Sequence, residues 1–398
     1  MSIQPLSVVV PVYRDLRATR TCLESVLETI DVATPLYVVN DGSPESALTD
    51  YCRELAKSGR ISLIENKQNL GFVKSVNVAM EAAGDADCVL LNSDTQVPPG
   101  WLDRLQRVAA DNPRAASITP FSNNATICSY PTFCEDNPLP ADLDAAALDA
   151  LFQRANAGKT VELPTGVGFC MYVRRSAWLE VGPFDEEAFG RGYGEENDWC
   201  MRASRLGWKH VLCADLFVYH AGGASFGGDA VAWQNNALTV INERYPNYNA
   251  DIARFVEQDP AEPLRFSVDL LRPDAASVIG EVRARAKKER EARYAVDLAR
   301  HQQVTALDQV LQETRRSAAA ESEQYRQLLN ELRSEASAST QQFQEREQQY
   351  LQQIAEMAEG YEALRSAHEQ LNQAHQQLTN VWFIRVWRAL RRGLGMSP

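Results

Sequence analysis

None of the eight cysteines (22, 52, 88, 128, 134, 170, 200 and 213) belongs to a CxxC pair, so neither a zinc-ligand spacing nor a disulfide framework is signalled. Most are expected to be small apolar residues in a core. No apolar run reaches membrane-spanning length, and the opening MSIQPLSVVV lacks the basic start and apolar stretch of a secretory leader. A cytoplasmic setting is the expectation. An excess of positive charge is missing too: the formal net charge is -13, which argues against nucleic acid as the main partner. After the first apolar run comes PVYRD and not GxGxxG, which removes the pyrophosphate cradle of an NAD(P)-dependent enzyme. Beyond Pro273 glycine nearly vanishes.

What is present divides into distinct textures. With 398 residues, 45% of them hydrophobic, the chain can bury one large core or two and still have material left over. Residues 6–120 alternate β-branched runs (SVVVPV, LYVVNDG, ISLIEN, DCVLLNSD, AASITP) with amphipathic stretches, a βαβ pattern. The runs are continuously apolar, which predicts a parallel sheet covered on both faces and ligands at the strands' carboxyl ends. From about 160 to 260, PTGVGFCMYVRR reads as a strand, EENDWCMRASRLGW as a helix, and HVLCADLFVYHAGG as strands entering a glycine-rich loop. NPLPADLDAAALDALF is expected to be a loop and a helix lying over the site.

Gln, Glu, Ala and Arg dominate as far as about residue 380, the composition of a long helix or coiled coil. Leu307, Leu311, Tyr325, Leu328 and Leu332 keep three-and-four spacing, as do Tyr350, Ile354, Met357, Tyr361, Leu364, Leu371 and Leu378. The two stretches differ by about one residue in register, which implies a stutter. A homo-oligomer follows. In VWFIRVWRALRRGLG, Phe383, Val386, Trp387, Leu390 and Leu394 share one helical face, with Arg385, Arg388, Arg391 and Arg392 opposite. Such a helix suits an anionic membrane surface, the alternative being a packing helix that closes the coiled coil. The expected organisation is therefore a globular domain at 1–260, a linker at 261–280, a coiled coil at 281–380 and a basic amphipathic helix at 381–398.

Four polar groups fall where such a sheet would gather them. VVNDGSPE ends a strand in Asn40, Asp41, Gly42 and Ser43, where a carboxylate can accept from a base or ribose, or else merely cap a turn. Pro11 and Tyr13 could form a flat wall beside it. LLNSDT ends another strand in Asn92, Ser93 and Asp94, like the Asp-x-Asp element that holds a divalent cation against a diphosphate. The Asn92 amide is a poor ligand, which leaves Asp94 as the anchor. His220 stands at a strand end before the glycines, either structural or completing a metal shell, and an imidazole ligand leans toward Mn²⁺ over Mg²⁺. Finally, Glu195, Glu196 and Asp198 begin a helix, either as charges matched to its positive end or with one acting as general base. Asp198, beside the apolar Trp199, has the alternative of orienting the loop.

In SVVVPVYRD, VVNDGSPE, ENKQNLGFVKSVNVAM, LLNSDTQVPPGWL, GVGFCMYVRR, VGPFDEEAFGRGYGEENDWCMRASRLGW and VYHAGGASF, the chain resembles a family 2 glycosyltransferase over about residues 6–226. The resemblance implies a GT-A type, Rossmann-like mixed sheet with helices on both faces. It further implies that Pro11, Tyr13 and Asp41 contact the nucleoside, with Gly71, Lys74 and Ser93 near the nucleotide. Asp94 and His220 would hold Mn²⁺ or Mg²⁺, and Glu196 would be the catalytic base. Gly166 and Gly168 would approach the sugar or acceptor, with Glu195, Asp198 and Trp199 in the same vicinity. Asn92 replaces the first aspartate of the usual motif, as in rhamnosyltransferase-like members.

The implied reaction is an inverting transfer of a sugar from a nucleotide diphosphate sugar to a hydroxyl of a glycan or lipid-linked acceptor. The implied setting is bacterial surface polysaccharide synthesis, O-antigen or a related lipopolysaccharide, on the inner face of the cytoplasmic membrane. Two other readings are distinguishable. A catalytically lapsed nucleotide-binding scaffold would bind without turnover, and a nucleotidyltransferase would release pyrophosphate in place of a nucleoside diphosphate.

Overall fold

In the computed structural model, which describes residues 4–190, 192–222, 230–277, 280, 303 and 322–393, every β-branched run of the first 120 residues is a strand. The chain runs β1 (Leu6–Val12), α1 (Leu16–Thr29), β2 (Leu36–Asn40), α2 (Ser46–Lys57), β3 (Ser62–Glu65), α3 (Phe72–Ala82), β4 (Asp87–Leu91), β5 (Thr95–Gln96), α4 (Trp101–Asp111) and β6 (Ala115–Phe121). It continues through α5 (Ala145–Asn156), β7 (Thr160–Leu163), β8 (Cys170–Val173), α6 (Arg175–Val181), α7 (Glu186–Phe189), α8 (Glu195–Arg205), β9 (Lys209–Phe217) and β10 (Tyr219–His220). Then come α9 (Ala230–Arg244), α10 (Tyr248–Gln258), α11 (Glu262–Asp269) and α12 (Ser322–Gly393).

The main sheet has the order β3-β2-β1-β4-β8-β6-β9-β7. β1 pairs in parallel with β2 and β4, β2 with β3, and β6 with β9. The main-sheet strands of residues 6–120 run parallel as expected, since β4 and β6 are both antiparallel to the β8 between them and so share one direction; the antiparallel strands β8 and β7 come from the later segment. The mixed sheet covered on both faces is the α/β architecture that the resemblance implied.

Side-chain alternation along β1 divides the interior into two cores. Val8, Val10 and Val12 join Leu23, Trp101 and Phe152 on one face, whereas Val9 joins Val76, Met80 and Trp199 on the other. The helix expected to lie over the site is α5, and it instead buries Leu148 and Phe152 in the first core, against Phe121, Tyr130 and Phe217. Seven cysteines are buried and only Cys134 is exposed, as small apolar residues should be.

The first compact unit extends to Ala275 and not to residue 260. Phe255, Ala261 and Val268 are buried in the first core, so α10 and α11 belong to the globular unit and the segment after 260 is no linker. The second unit, 276–398, contains α12, a continuous helix of 72 residues. Leu307 and Leu311 lie outside the described residues, as do residues 223–229 of the glycine loop. No helix among the described residues is long and apolar enough to cross a membrane.

His210 fastens three elements at the centre of the first unit. Its Nε2 lies 2.9 Å from the Cys200 carbonyl of α8, which can only accept, so Nε2 carries the proton. Nδ1 then accepts from the Ser117 hydroxyl of β6 at 2.7 Å. Burial lowers the imidazole pKa to about 4. The unfolded chain takes up a proton below its ordinary value near 6.5 that the folded chain refuses until about 4, so stability should fall across that window by roughly 3 kcal/mol. Urea midpoints measured from pH 7 to pH 4 should show a steeper decline for the wild type than for His210→Asn; parallel curves would show that His210 is not the group responsible.

Candidate active site

The carboxyl ends of β1 and β2 are joined by carboxylates that bind backbone. Asp41 is buried, and its N–H extends the ladder to the Val12 carbonyl at 2.9 Å. Its Oδ1 accepts from Asn66 Nδ2 and from the Leu70 N–H, both at 2.8 Å, and its Oδ2 accepts from the Gly71 N–H at 2.9 Å. Three of the roughly four acceptor sites of the carboxylate are thus used to hold the 66–71 loop. Gly42, at φ 63°, lies so close to that loop that a Cβ would meet the Gln68 carbonyl carbon at 2.5 Å. Glu45, which sequence reasoning passed over, accepts from the N–H groups of Asp15 (3.0 Å) and Leu16 (3.1 Å) and ties the β1–α1 turn to the β2–α2 turn.

Around this clamp, Pro11 is buried opposite Val39, and Tyr13 is half-buried with the Arg14 guanidinium 5.2 Å from its ring centroid. Gly71 precedes the first turn of α3. Lys74 is exposed one turn on, its ammonium 4.0 Å from Glu186.

At the end of β4 the chain turns through Asn92, buried Ser93 and buried Asp94 into β5. β5 pairs antiparallel with β10, placing His220 opposite Thr95. The Asn123 side chain grips the histidine backbone twice, accepting from its N–H and donating to its carbonyl, each at 2.9 Å. His220 Nδ1 lies 2.7 Å from the Asn124 carbonyl, so Nδ1 carries the ring proton of the neutral form. Nε2 then presents a lone pair to Asp94 Oδ1 at 3.3 Å. Two acceptors facing each other require a proton or a cation between them. Burial opposes protonation of the ring, but the hydrogen bond and charge of Asp94, with the Asn124 carbonyl, carry its pKa upward overall.

This donor set, one hard carboxylate oxygen and one imidazole nitrogen, fits a divalent cation that takes its other ligands from elsewhere. No group of three candidate protein ligands occurs among the described residues. The Asn92 amide nitrogen is 3.5 Å from His220 Nε2 and offers no oxygen to that position.

The strand β8 brings the third element to this pair. The Asn92 N–H donates to the Phe169 carbonyl at 2.8 Å, and the Phe169 ring stacks on His220 with centroids 5.3 Å apart. One residue earlier, a Cβ on Gly168 would lie 3.6 Å from Cγ of Glu196. Of two consecutive residues, one thus stacks on His220 and the other leaves open the space beside Glu196 that a side chain would fill. Burial drives the Glu196 carboxyl above its usual range, opposed by the N–H groups of Gly194, Glu196 and Asn197 and by the Asn197 side chain. Glu195 is buried, its Oε2 lacks a hydrogen-bond partner, and burial together with the Glu196 charge pushes it up much further.

Three expected members of the sugar or acceptor vicinity are employed elsewhere. Asp198 is fully buried and binds Arg202 Nε (2.8 Å), Arg244 Nη1 (2.9 Å) and the Tyr245 hydroxyl (2.8 Å), which fastens α8 to α9. Trp199 is a core residue whose Nε1 donates to the Gly182 carbonyl. Gly166 packs against the β-sheet, where a Cβ would meet Ser117 Oγ at 2.9 Å.

Replacing Asp41 with Asn puts a donor where a backbone N–H now donates. Asp41→Asn should cost about 1–3 kcal/mol and speed hydrogen exchange at the Leu70 and Gly71 amides. Unchanged protection there would mean that the loop is held by something else.

The glycosyl transferase family 2 model matches residues 7–180. An N-acetylglucosaminyl-diphospho-decaprenol L-rhamnosyltransferase of Mycobacterium tuberculosis is 30% identical over 237 residues, 52% of this chain and 74% of that one. A putative glycosyltransferase EpsH of Bacillus subtilis is 27% identical over 146 residues, 37% of this chain and 39% of the other. Among solved structures, the mannosyltransferase PcManGT of Pyrobaculum calidifontis, in complex with GDP-Man and Mn²⁺, aligns over 72% of this chain and 81% of its own at 14% identity and a TM-score of 0.45. On the sequence relationship, 30% identity to a relative of which this chain covers 74%, the chain is a glycosyltransferase and belongs to glycosyl transferase family 2.

Proposed function

We propose that the chain transfers a sugar from a nucleotide diphosphate sugar to a hydroxyl of a lipid-linked glycan, with inversion at the anomeric carbon. The observation that supports this reading is the Gly168–Phe169 step, with Glu196 beside Gly168 and the His220 ring stacked on Phe169. Asp94 and His220 would hold a divalent cation, Mn²⁺ or Mg²⁺, which when bound supplies positive charge for the diphosphate leaving group. Pro11, Tyr13 and the Asp41 clamp, with Gly71, Lys74 and Ser93, form the nucleotide side. Glu196 takes the proton of the acceptor hydroxyl. The freed oxygen attacks the anomeric carbon, and the nucleoside diphosphate departs with the electron pair of the broken bond. A carboxyl whose pKa is raised by burial is a stronger base once ionised, which suits proton abstraction near neutral pH.

The name of the mycobacterial relative supports rhamnose as the sugar and a polyprenyl diphosphate-linked sugar as acceptor, and dTDP-rhamnose is the donor to try first. Such an acceptor lies in a membrane, and the basic terminal stretch at 381–398 provides a means to stay near it at the inner face of the cytoplasmic membrane. Leu328, Leu332 and Tyr350 of α12 are exposed in the single chain, a seam suited to pairing with a second copy as a coiled coil.

With a panel of nucleotide sugars and Mn²⁺ or Mg²⁺, metal-dependent release of a nucleoside diphosphate from one donor is expected. Glu196→Gln should lower that rate roughly 10²- to 10⁴-fold, and Asp94→Ala should abolish the metal dependence. Wild-type turnover by either variant refutes the corresponding role, and stabilisation by nucleotide without turnover would favour the lapsed scaffold. A chain ending at Ala275 keeps the whole first unit. It should retain donor binding and lose association with vesicles containing anionic lipid; equal vesicle binding would remove the terminal stretch from the membrane role.

A further inference from the structure

The Glu196 carboxylate is half-buried at the start of α8, and its one side-chain hydrogen bond among the described residues comes from the next residue. Asn197 Nδ2 donates to Glu196 Oε1 at 3.1 Å. The other end of the same amide, Asn197 Oδ1, accepts from the Tyr248 hydroxyl at 2.9 Å. The Thr165 hydroxyl is 3.1 Å from that oxygen and 3.2 Å from the Gly166 carbonyl, so its single proton serves one or the other. Rotation of the amide would set its oxygen against the ionised carboxylate and take from the Tyr248 hydroxyl the acceptor it now donates to, so the observed orientation is the one that suits the charged form of Glu196.

Tyr248 is itself held in place. It opens α10, which is anchored in the first core by Phe255, and it follows a turn whose Arg244 and Tyr245 both bind buried Asp198. The hydroxyl is thus referred back to α8, two residues beyond the carboxylate it influences.

We infer that Asn197 is a positioning residue for Glu196, and that Tyr248 sets the orientation in which Asn197 acts. This rests on the reading of Glu196 as the base. The relay does two things. It fixes the direction in which the carboxylate presents its second oxygen, and it stabilises the ionised form that must accept a proton. Tyr248 lies well beyond residue 180, so the relay joins the α10 segment to a base carried on α8.

Other groups that could titrate against Glu196 are few among the described residues. Glu195 and Cys200 share its helix, Tyr248 faces it from α10, and the β7–β8 connection presents uncharged Gly168. Burial holds Cys200 near 12 and raises Tyr248 further, and it raises Glu195 and Glu196 together, so the acid limb of activity belongs to that carboxyl pair, within which the carboxyl titration reads Glu196 by itself.

The test is a titration of the full-length protein carrying ¹³C-carboxyl glutamate, with the Glu196 signal identified by its absence in Glu196→Gln. In Asn197→Ala the Glu196 pKa should rise by about one unit, since a hydrogen bond to the charged form is lost. Tyr248→Phe should raise it by less, and the double variant should match Asn197→Ala alone. In turnover of dTDP-rhamnose with Mn²⁺, the acid limb should move by the same amount, with kcat falling and KM for the donor unchanged. An unmoved Glu196 signal in both single variants overturns the relay, and strictly additive shifts in the double variant overturn the part assigned to Tyr248. Wild-type turnover by Glu196→Gln would instead overturn the base itself, while the carboxyl titration still decides the hydrogen bond.

Discussion

Because β8 runs antiparallel between β4 and β6, its amino end meets the carboxyl end of β4, and Asn92, Phe169 and His220 are brought together at that meeting. A parallel strand in the same place would have sent its amino end to the far edge of the sheet. The reversal puts Phe169 against Asn92 and His220, and Gly168 against Glu196. The residues between the two polar groups are then a glycine and an aromatic ring, a small one to admit a ligand and a flat one to hold an imidazole. The sheet thereby fixes a spacing that side chains on flexible loops could not maintain.

Around this centre the buried polar groups are nearly all satisfied by partners from distant elements. Asp198 receives three hydrogen bonds from α8, α9 and the turn that follows. In the other core, Arg104 of α4 meets Asp149 of α5 through two bonds of 2.8 Å, and the carboxylate also accepts from the Phe217 N–H. Pairs of this kind contribute little net stability but penalise any arrangement that separates them. They hold helices at fixed positions on the sheet, and so hold in place the side chains those helices carry. Glu195 is one of the exceptions, buried with an unpartnered oxygen beside the proposed base.

The strands and most helices could be read from β-branched runs and from amphipathic spacing, because burial on a sheet leaves a periodic trace. The parallel direction of the strands in the first 120 residues could be read as well, but the reversal of β8 could not, since its CMYV run is as continuously buried as the parallel strands beside it. Asp94 and His220 were legible as polar residues ending apolar runs, and the structure brings them together. Of the two readings open for Asp198, the geometry favours the anchoring one, and Trp199 packs in the core beside it. Residues two apart on a helix point to different sides, so the face carrying Glu196 could not also carry Asp198. Asn123, Asn124 and Tyr248 left no trace at all: their partners lie 97, 96 and 51 residues away, and nothing in a local pattern announces such a bond.

The thiols have a consequence of a different kind. Burial pushes Cys22, Cys88 and Cys200 to about 12 and Cys52 to about 11, beyond the reach of mild alkylating reagents. Cys134 alone is exposed, and it lies in the segment between Asn123, which grips His220, and Asn137, which binds back to Asn123. A maleimide dye added to the native protein therefore finds a single attachment point without any engineering. It would sit on the loop that carries the histidine's support and report by fluorescence when that loop changes its surroundings.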